Sequence, residues 1–298
     1  MNLSGVFAAL TTPFASDDSI AIPQLKENIH RYNATALAGY AVQGSTGESV
    51  LLSHGEWEAV LIAVRETAAA NKKLIAGTGV ESTAETISRT KIAAAIGYDA
   101  ALVKTPYYYK PVYKPDVFIA HFRRVADASP IPVLLYSVPQ FTGIALEAPE
   151  IATLSEHQNI IGIKESSGHV QRVAEMVGAT TPDFQVLTGG AGVLLPSLTI
   201  GAKGAILALA SALPEKCAEL YELTRRAQLE NARELQRTLL RASKLIVSEL
   251  GIAGVKFVMD QRGYHGGNPR LPLLPLADGA KRRVMDLLAV LEPVAARA

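Results

Sequence analysis

A lysine at the end of an apolar segment is the residue of this 298-residue sequence that most directly indicates chemistry. Lys164 follows a β-prone segment that contains Ile160, Ile161 and Ile163. Burial disfavours the charged form of an amine, and a neutral amine attacks carbonyl carbons to form an imine. The imine withdraws electrons, so a neighbouring C–C bond can break or form through an enamine. Lys164 therefore indicates aldol-type chemistry on a carbonyl substrate.

Such a reaction also needs a group that moves protons, and a tyrosine hydroxyl oriented by other hydroxyls can do this. Residues of suitable type stand at the predicted ends of other strands, namely Tyr136, Ser45 and Tyr108. Lys104 also ends a predicted strand, so the residue types alone leave two lysines for the imine. A strand-end lysine is more often salt-bridged or extended toward solvent, and this structural alternative stays open for both.

Eight short β-prone segments alternate with helical patterns, which is typical of parallel βαβ units. Residues 53–56 and 82–85 both fit the S-x-x-E capping box at a helix start. No G-x-G-x-x-G follows the first segment, which disfavours a dinucleotide-binding open sheet. The pattern predicts an α/β protein, a (β/α)8 TIM barrel with a C-terminal helical extension. The predicted strands begin at Gly5, Gly39, Lys73, Asp99, Ile131, Asn159, Phe184 and Lys203.

The sequence divides at residue 212, where the alternation of strands and helices ends. We assign residues 1–212 to the barrel and residues 213–298 to a helical region packed on it. Pro214 suits the first position of a helix, and two amphipathic patterns follow it with a break near Asn231. A further helical pattern covers residues 279–298.

The polar residues that follow the strands are expected to meet, because TIM-barrel active sites lie at the C-terminal ends of the strands. Strands two, four, five and seven end in residues 44–49, 104–109, 136–139 and 188–190, and strand six ends in Lys164. Their convergence on one mouth favours a catalytic function more than any single residue does.

Composition and charge exclude several other classes of protein. The formal net charge is +1, and the basic residues do not cluster, so nucleic acid and acidic membrane surfaces are not expected partners. Cys217 is the one cysteine, and we expect it to be a buried, inert thiol. The six histidines show no metal-ligand spacing. No apolar run approaches the roughly 18 residues of a membrane span, and no signal peptide is recognisable, so we expect a cytoplasmic protein.

Four motifs, taken in order and spacing, resemble the dihydrodipicolinate synthase/N-acetylneuraminate lyase family of class I aldolases. The resemblance covers nearly the whole chain. The motifs are GSTGE at residues 44–48, TPYY at 105–108, LYSVP at 135–139 and IKES at 163–166.

The resemblance implies a role for each matching residue of the catalytic group. Lys164, rather than Lys104, would form the imine with pyruvate or another 2-oxo acid, and Tyr136 would move the proton. Ser45 and Tyr108 would be its relay partners, with Tyr108 donated across a tight dimer interface.

The resemblance also implies a substrate site and an assembly. Ser45 and Thr46 would bind the pyruvyl carboxylate, and Gly189 and Ile206 would line the pocket. Family members are commonly homotetramers built as dimers of dimers. They use neither a metal nor an organic cofactor, and we expect the same of this chain.

One position departs from the family's synthases, which carry an arginine where this chain has Phe141. That arginine holds the carboxylate of aspartate semialdehyde, and phenylalanine cannot form such a bidentate clamp. Ser137 likewise replaces the usual asparagine. If this chain is a synthase, another cation must replace the arginine, and Lys110 and Lys114 are the residues that we expect to do so.

Other segments look closer to 4-hydroxy-2-oxoglutarate aldolases, namely residues 42–45, 135–139, 183–187 and 263–267. Ser166 matches a serine that such enzymes use for the distal part of the substrate. We therefore predict cleavage of 4-hydroxy-2-oxoglutarate to pyruvate and glyoxylate. The alternatives are a 4-hydroxy-tetrahydrodipicolinate synthase and, from another class, a non-catalytic barrel that binds a 2-oxo acid.

Overall fold

Eight parallel strands close into a barrel in the computed structural model, which describes residues 1–291. Each strand pairs with the next in sequence, and the eighth pairs with the first. The predicted TIM barrel is therefore confirmed, and the observed strand starts lie within two residues of the predicted ones. The strands are β1 (Gly5–Ala9), β2 (Gly39–Val42), β3 (Lys73–Gly77), β4 (Ala100–Lys104), β5 (Val133–Ser137), β6 (Ile160–Glu165), β7 (Gln185–Thr188) and β8 (Gly204–Leu207).

Helices connect the strands and continue after β8. Through the end of β8 they are α1 (Ile22–Asn33), α2 (His54–Thr67), α3 (Thr83–Ile96), α4 (Pro115–Ala128), α5 (Pro139–Thr142), α6 (Ala148–Ser155), α7 (Val170–Ala179) and α8 (Leu194–Thr199). After β8 they are α9 (Leu209–Ala212), α10 (Pro214–Arg225), α11 (Leu229–Ala242), α12 (Gly251–Gln261) and α13 (Asp278–Leu291). A π-helical segment (Ser243–Glu249) joins α11 to α12. Short 3₁₀ turns occur at Ser45–Gly47, Ser49–Leu51, Lys110–Val112 and Ala191–Val193.

The two predicted capping boxes have different outcomes. At the start of α2, Ser53 Oγ accepts the Glu56 N–H and the Glu56 carboxylate accepts the Ser53 N–H, so the box is complete. At the start of α3, Ser82 caps the helix, but the Glu85 carboxylate does not reach back. It pairs instead with Arg89 at 3.0 Å, because a guanidinium one turn along is a stronger partner than a neutral N–H.

The interior of the barrel is a packed apolar core. Tyr136 belongs to this core, together with small and branched residues such as Ala41, Leu102 and Ile206. Strand residues of the opposite parity, such as Val103 and Leu135, pack against the outer helices. This alternation follows from the two-residue period of a strand and makes the barrel a solid support for residues at its C-terminal rim.

A bulge in β6 determines which way Lys164 faces. Val133 pairs with Ile160, but the next residue, Leu134, pairs with Gly162, so Ile161 has no partner on β5. Ile160 packs on the outer face, and regular alternation would direct Lys164 outward as well. The extra residue reverses the parity, so Lys164 pairs with the inward-facing Tyr136. Local irregularity of the strand thus places the lysine inside the barrel.

The C-terminal helices pack on the barrel. Helix α10, which begins at the predicted domain boundary, contacts β1 and α8, so the helical region is continuous with the outer ring of helices. The break between α10 and α11 lies at residues 226–228, slightly before the predicted one. Cys217 on α10 is buried as predicted, and burial raises the pKa of its thiol. Part of the last predicted helix, residues 292–298, lies outside the described residues.

Within residues 1–291, no helix has the length and apolar character needed to cross a membrane.

Candidate active site

A cavity of about 800 Å³ opens at the C-terminal ends of the strands. Six of the eight predicted catalytic and substrate-binding residues contribute to its wall: Ser45, Thr46, Tyr136, Lys164, Ser166 and Gly189. They come from β2, β5, β6 and β7 or from the segments that directly follow these strands. The parallel barrel therefore brings together residues that are far apart in sequence.

Lys164 and Tyr136 form the centre of the site. Both side chains are 5% exposed, and the lysine Nζ lies 4.2 Å from the centroid of the tyrosine ring. Their strands pair at this level, which fixes the two side chains on the same inward face. A buried amine beside a phenol is suited to attack a carbonyl while the phenol exchanges a proton with the reacting oxygen.

The Ser45 hydroxyl lies next to this pair, with its Oγ 3.4 Å from the Tyr136 hydroxyl. Ser45 begins a 3₁₀ turn that follows β2, and the backbone amides of Ser45 and Thr46 donate no hydrogen bond within residues 1–291. Unpaired amides and hydroxyls at one turn are suited to bind a carboxylate. The turn lies between two non-glycine residues with positive φ, Gln43 at 61° and Glu48 at 56°. Such strained backbone needs support from the surrounding structure.

That support comes from a buried ion pair that sequence analysis missed. Glu48 Oε1 lies 2.6 Å from the Nζ of Lys256 on α12, and both side chains are at most 1% exposed. The second carboxylate oxygen accepts the Arg270 N–H at 2.8 Å, and Thr12 Oγ1 donates to the Gly47 carbonyl at 2.7 Å. The one sequence signal for this pair is a lysine inside an otherwise apolar helix, because its partner belongs to a distant segment.

Ser166 and Gly189 meet at the next part of the wall. A Cβ on Gly189 would lie 1.9 Å from Ser166 Oγ, so only glycine fits at that position. The Ser166 hydroxyl is buried and has no hydrogen-bond partner within the described part of the chain. A buried polar atom without a partner is unusual in a folded protein and marks a place where a ligand atom can bind.

Two of the eight predicted site residues, Ile206 and Tyr108, do not line the cavity. Ile206 is fully buried in the barrel interior, in the same apolar cluster as Tyr136, and does not contribute to the cavity wall. Tyr108 is 73% exposed, packs edge-on against Tyr109 and is also absent from the wall. Its backbone N–H is held by the Glu81 carboxylate at 2.9 Å. A contribution of Tyr108 to the site therefore requires a second copy of the chain.

The second strand-end lysine is placed differently from Lys164. Lys104 on β4 pairs with Tyr136 on the side of β5 opposite to Lys164. Its Nζ lies 5.0 Å from the centroid of the Tyr107 ring, and the residue does not line the cavity. Burial lowers the pKa of Lys104, and the nearby Glu81 carboxylate opposes this effect. Glu165, the residue after Lys164, faces outward, and its Oε1 lies 3.5 Å from Arg172 Nε.

The residue that departs from the synthase pattern stands at the cavity mouth. Phe141 lines the cavity and is 63% exposed. Neither of the two lysines named as substitutes for the missing arginine contributes to the wall. Lys110 lies against Gly143, and Lys114 precedes the first turn of α4. The lysine that does line the outer cavity is Lys244, in the π-helical segment, which sequence analysis missed.

A closed parallel barrel with a buried lysine and tyrosine at its C-terminal mouth defines a TIM-barrel lyase of the class I aldolase type. Comparison with known proteins agrees with this class, because the model of the dihydrodipicolinate synthetase family matches residues 2–291. The chain belongs to this family, whose members are pyruvate-dependent class I aldolases and lyases.

Named relatives are similar over nearly their full length. A 4-hydroxy-tetrahydrodipicolinate synthase of Methanothrix thermoacetophila is 36% identical over 285 residues, which cover 95% of each chain. One from an Exiguobacterium species is 34% identical over 285 residues, 96% of this chain and 97% of that one. A chloride-inhibited dihydrodipicolinate synthase of Acinetobacter baumannii, solved in complex with pyruvate, superimposes with a TM-score of 0.92. It is 28% identical, and the match covers 96% of this chain and 98% of that one. These relatives support the synthase alternative better than the predicted cleavage of 4-hydroxy-2-oxoglutarate.

Proposed function

We propose that this chain binds pyruvate as an imine on Lys164 and makes or breaks a C–C bond at the methyl carbon of pyruvate. The observation that carries the proposal is the buried Lys164 Nζ, which lies 4.2 Å from the Tyr136 ring in the cavity wall. The amine attacks C2 of pyruvate, water leaves, and loss of a proton from C3 gives an enamine. C3 then attacks the aldehyde carbon, and the aldehyde oxygen takes up a proton. Hydrolysis of the imine, or attack by an amine of the product, frees the lysine.

The neighbouring residues have assigned roles in this proposal. Tyr136 moves the proton, and Ser45, 3.4 Å from its hydroxyl, continues the relay. The amides and hydroxyls of Ser45 and Thr46 bind the pyruvyl carboxylate, and Ser166 binds the distal part of the substrate. The relay is completed by Tyr108 from a second copy, which requires a dimer, and the family resemblance is the reason to expect a homotetramer made of two such dimers. The reaction needs no metal or organic cofactor, and we assign it to the cytoplasm.

The first candidate for the second substrate is aspartate semialdehyde. It is supported by the relatives at 34% and 36% identity, both of which are 4-hydroxy-tetrahydrodipicolinate synthases. In this case the chain works in the condensing direction and uses pyruvate.

The second candidate is 4-hydroxy-2-oxoglutarate, which is cleaved to pyruvate and glyoxylate. One observation favours it: Phe141 stands at the cavity mouth where the synthases carry their carboxylate-binding arginine. A smaller aldehyde such as glyoxylate keeps its carboxylate nearer to the imine and does not need an arginine at position 141.

Borohydride reduction in the presence of pyruvate tests the imine. We expect a reduced pyruvyl adduct on Lys164, located by peptide mass spectrometry, which Lys164→Ala abolishes and Lys104→Met leaves unchanged. Turnover of aspartate semialdehyde against glyoxylate then identifies the second substrate. A wild-type protein that forms no adduct, or an adduct on Lys104, would refute the mechanism and favour a barrel that only binds a 2-oxo acid.

The assembly is tested separately. Sedimentation at decreasing protein concentration, with activity measured in parallel, should show that activity is lost when the Tyr108 contact dissociates. A fully active monomer would exclude a role for Tyr108. Unchanged activity after dialysis against a chelator is the expected result for a reaction without a metal.

A further inference from the structure

We infer that Lys244 binds the carboxylate of the second substrate and thereby selects aldehydes that carry an acidic group. The inference rests on the proposed function, since it concerns the half of the substrate that does not become the imine. It assigns to Lys244 the task that the synthase arginine performs where this chain has Phe141.

The position of Lys244 is set by one face of the C-terminal helices. From α11 into the π-helical segment, the cavity-lining residues recur at the spacing of one helical face, and residues 249–253 and Val255 line the cavity after them. The residues of this face are Leu240, Ser243, Lys244, Val247 and Ser248. Lys244 is central in this face and is accompanied by two serines and two apolar residues. Lys244 is itself exposed, so its flexible side chain lines the cavity while it keeps contact with solvent.

The charges of the wall leave one cation for a second carboxylate. The charged residues that line the cavity are Lys164, Lys244 and Glu249. Glu249 is already paired with Arg283 at 2.6 Å, and Lys164 is reserved for the carbonyl carbon. Within residues 1–291, no carboxylate oxygen lies within 4.0 Å of Lys244 Nζ. A carboxylate that extends outward from the imine therefore meets Lys244 as its counterion.

The rest of the outer cavity offers no competing partner of this kind. Phe141, Leu240, Leu273 and Leu274 contribute apolar side chains there. These side chains are 37–70% exposed, so a carboxylate bound at Lys244 stays in contact with water and forms an ion pair of the surface type.

The helix that leads to Lys244 is fixed to the active-site side of the barrel. Gln236 on α11 donates to the carbonyls of Ala191 and Gly192 at 3.0 Å and accepts the Leu195 N–H at 2.7 Å. A Cβ on Gly192 would lie 3.1 Å from Leu240 Cδ1, so the helix packs closely on the segment after β7. That segment follows Gly189, which contacts Ser166. The lysine is thus held at a defined place relative to the distal part of the site.

The test compares acidic aldehydes with their methyl esters in wild-type protein, Lys244→Met and Lys244→Arg. Glyoxylate and aspartate semialdehyde are each assayed against the corresponding ester at saturating pyruvate. We expect Lys244→Met to raise KM for the acid about 2- to 5-fold, which is the usual effect of losing a solvent-exposed ion pair, and to leave KM for the ester unchanged. Lys244→Arg should keep KM for the acid close to the wild-type value, because arginine retains the charge.

Controls separate this inference from the proposed function. Lys91→Met removes an exposed lysine of α3 and should change neither substrate. Borohydride trapping of pyruvate should be the same in wild type and Lys244→Met. Equal effects on acid and ester, or no effect of Lys244→Met, overturn the role of Lys244 while trapping upholds the imine. If Lys110→Met raises KM for the acid and leaves KM for the ester unchanged, the role belongs to Lys110. A wild-type protein that forms no pyruvyl adduct refutes both proposals.

Discussion

Replacement of Lys256 by methionine tests whether the buried ion pair supports the Ser45 turn. Lys256 and Glu48 are 1% and 0% exposed, and their charged atoms are 2.6 Å apart. Methionine has a similar length and no charge, so the variant leaves the Glu48 carboxylate buried with the Arg270 N–H as its remaining partner. Removal of one member of a buried pair costs about 3–5 kcal/mol, a large part of the roughly 5–15 kcal/mol that stabilises a typical domain.

The matched control is the double variant Glu48→Gln, Lys256→Met, which has no uncompensated charge. It still loses the hydrogen bond that Lys256 donates to the Asn268 carbonyl at 3.0 Å. Asn268 is exposed and this hydrogen bond is only part-buried, so its loss costs about 1 kcal/mol and the double variant should be more stable than Lys256→Met alone. Urea unfolding at one fixed protein concentration measures the difference, because oligomer stability depends on concentration.

The single variant Lys256→Met should also lose activity under conditions where it remains folded. Displacement of a reacting group by about 1 Å can lower the rate about 100-fold, and the turn that carries Ser45 would lose its main anchor. A cost below about 1 kcal/mol for Lys256→Met, or a double variant that is less stable than the single one, would refute this account of the pair.

Three further predictions concern the wall, the mouth and the outer helices. Gly189→Ala should lower kcat/KM by 10-fold or more, because the new Cβ would lie 1.9 Å from Ser166 Oγ. Steady-state kinetics checks this, with Gly178→Ala as the control because a Cβ at Gly178 would meet no atom within 4 Å. Phe141→Arg should raise kcat/KM for aspartate semialdehyde about 10-fold while Phe141→Leu does not, since only arginine can bind the carboxylate. Burial lowers the pKa of His121 from 6.5 to about 4, so the unfolded state binds the proton more readily between these values. The free energy of unfolding should therefore fall as the pH drops from about 6.5 to 4, and His121→Gln should flatten this slope in urea titrations.

The barrel could be predicted from sequence because its information is local. Each strand is a short apolar segment bounded by turn residues, and each rim residue directly follows such a segment. The chemical residues Lys164, Tyr136 and Ser45 could therefore be assigned to one mouth as soon as the strands were counted. The family resemblance assigned Ile206 to the pocket, although the strand directs it into the packed interior.

The supports of the site could not be predicted because each depends on a contact between distant segments. Lys256 has a visible sequence signal, a charge in an apolar helix, but nothing in the sequence indicates that Glu48 is its partner. Lys244 looks like an ordinary surface residue of an amphipathic helix until the packing of α11 places it in the cavity wall. The bulge in β6 also depends on pairing with β5, and periodicity within β6 alone predicts the wrong face for Lys164.

The two halves of the cavity differ in how firmly the fold determines them. In the inner half, each residue is directed by a departure from regular structure: the bulge before Lys164, the positive φ of Glu48 after the Ser45 turn, and the close approach of Gly189 to Ser166. Such departures persist only where surrounding contacts enforce them, so the geometry of the inner half is fixed by the fold. The outer half is formed by α11, the π-helical segment and an exposed phenylalanine, which lie outside the strands of the barrel. Under the proposed function, the inner half would hold the pyruvyl imine, and variation at Phe141 and Lys244 would change which aldehyde takes part.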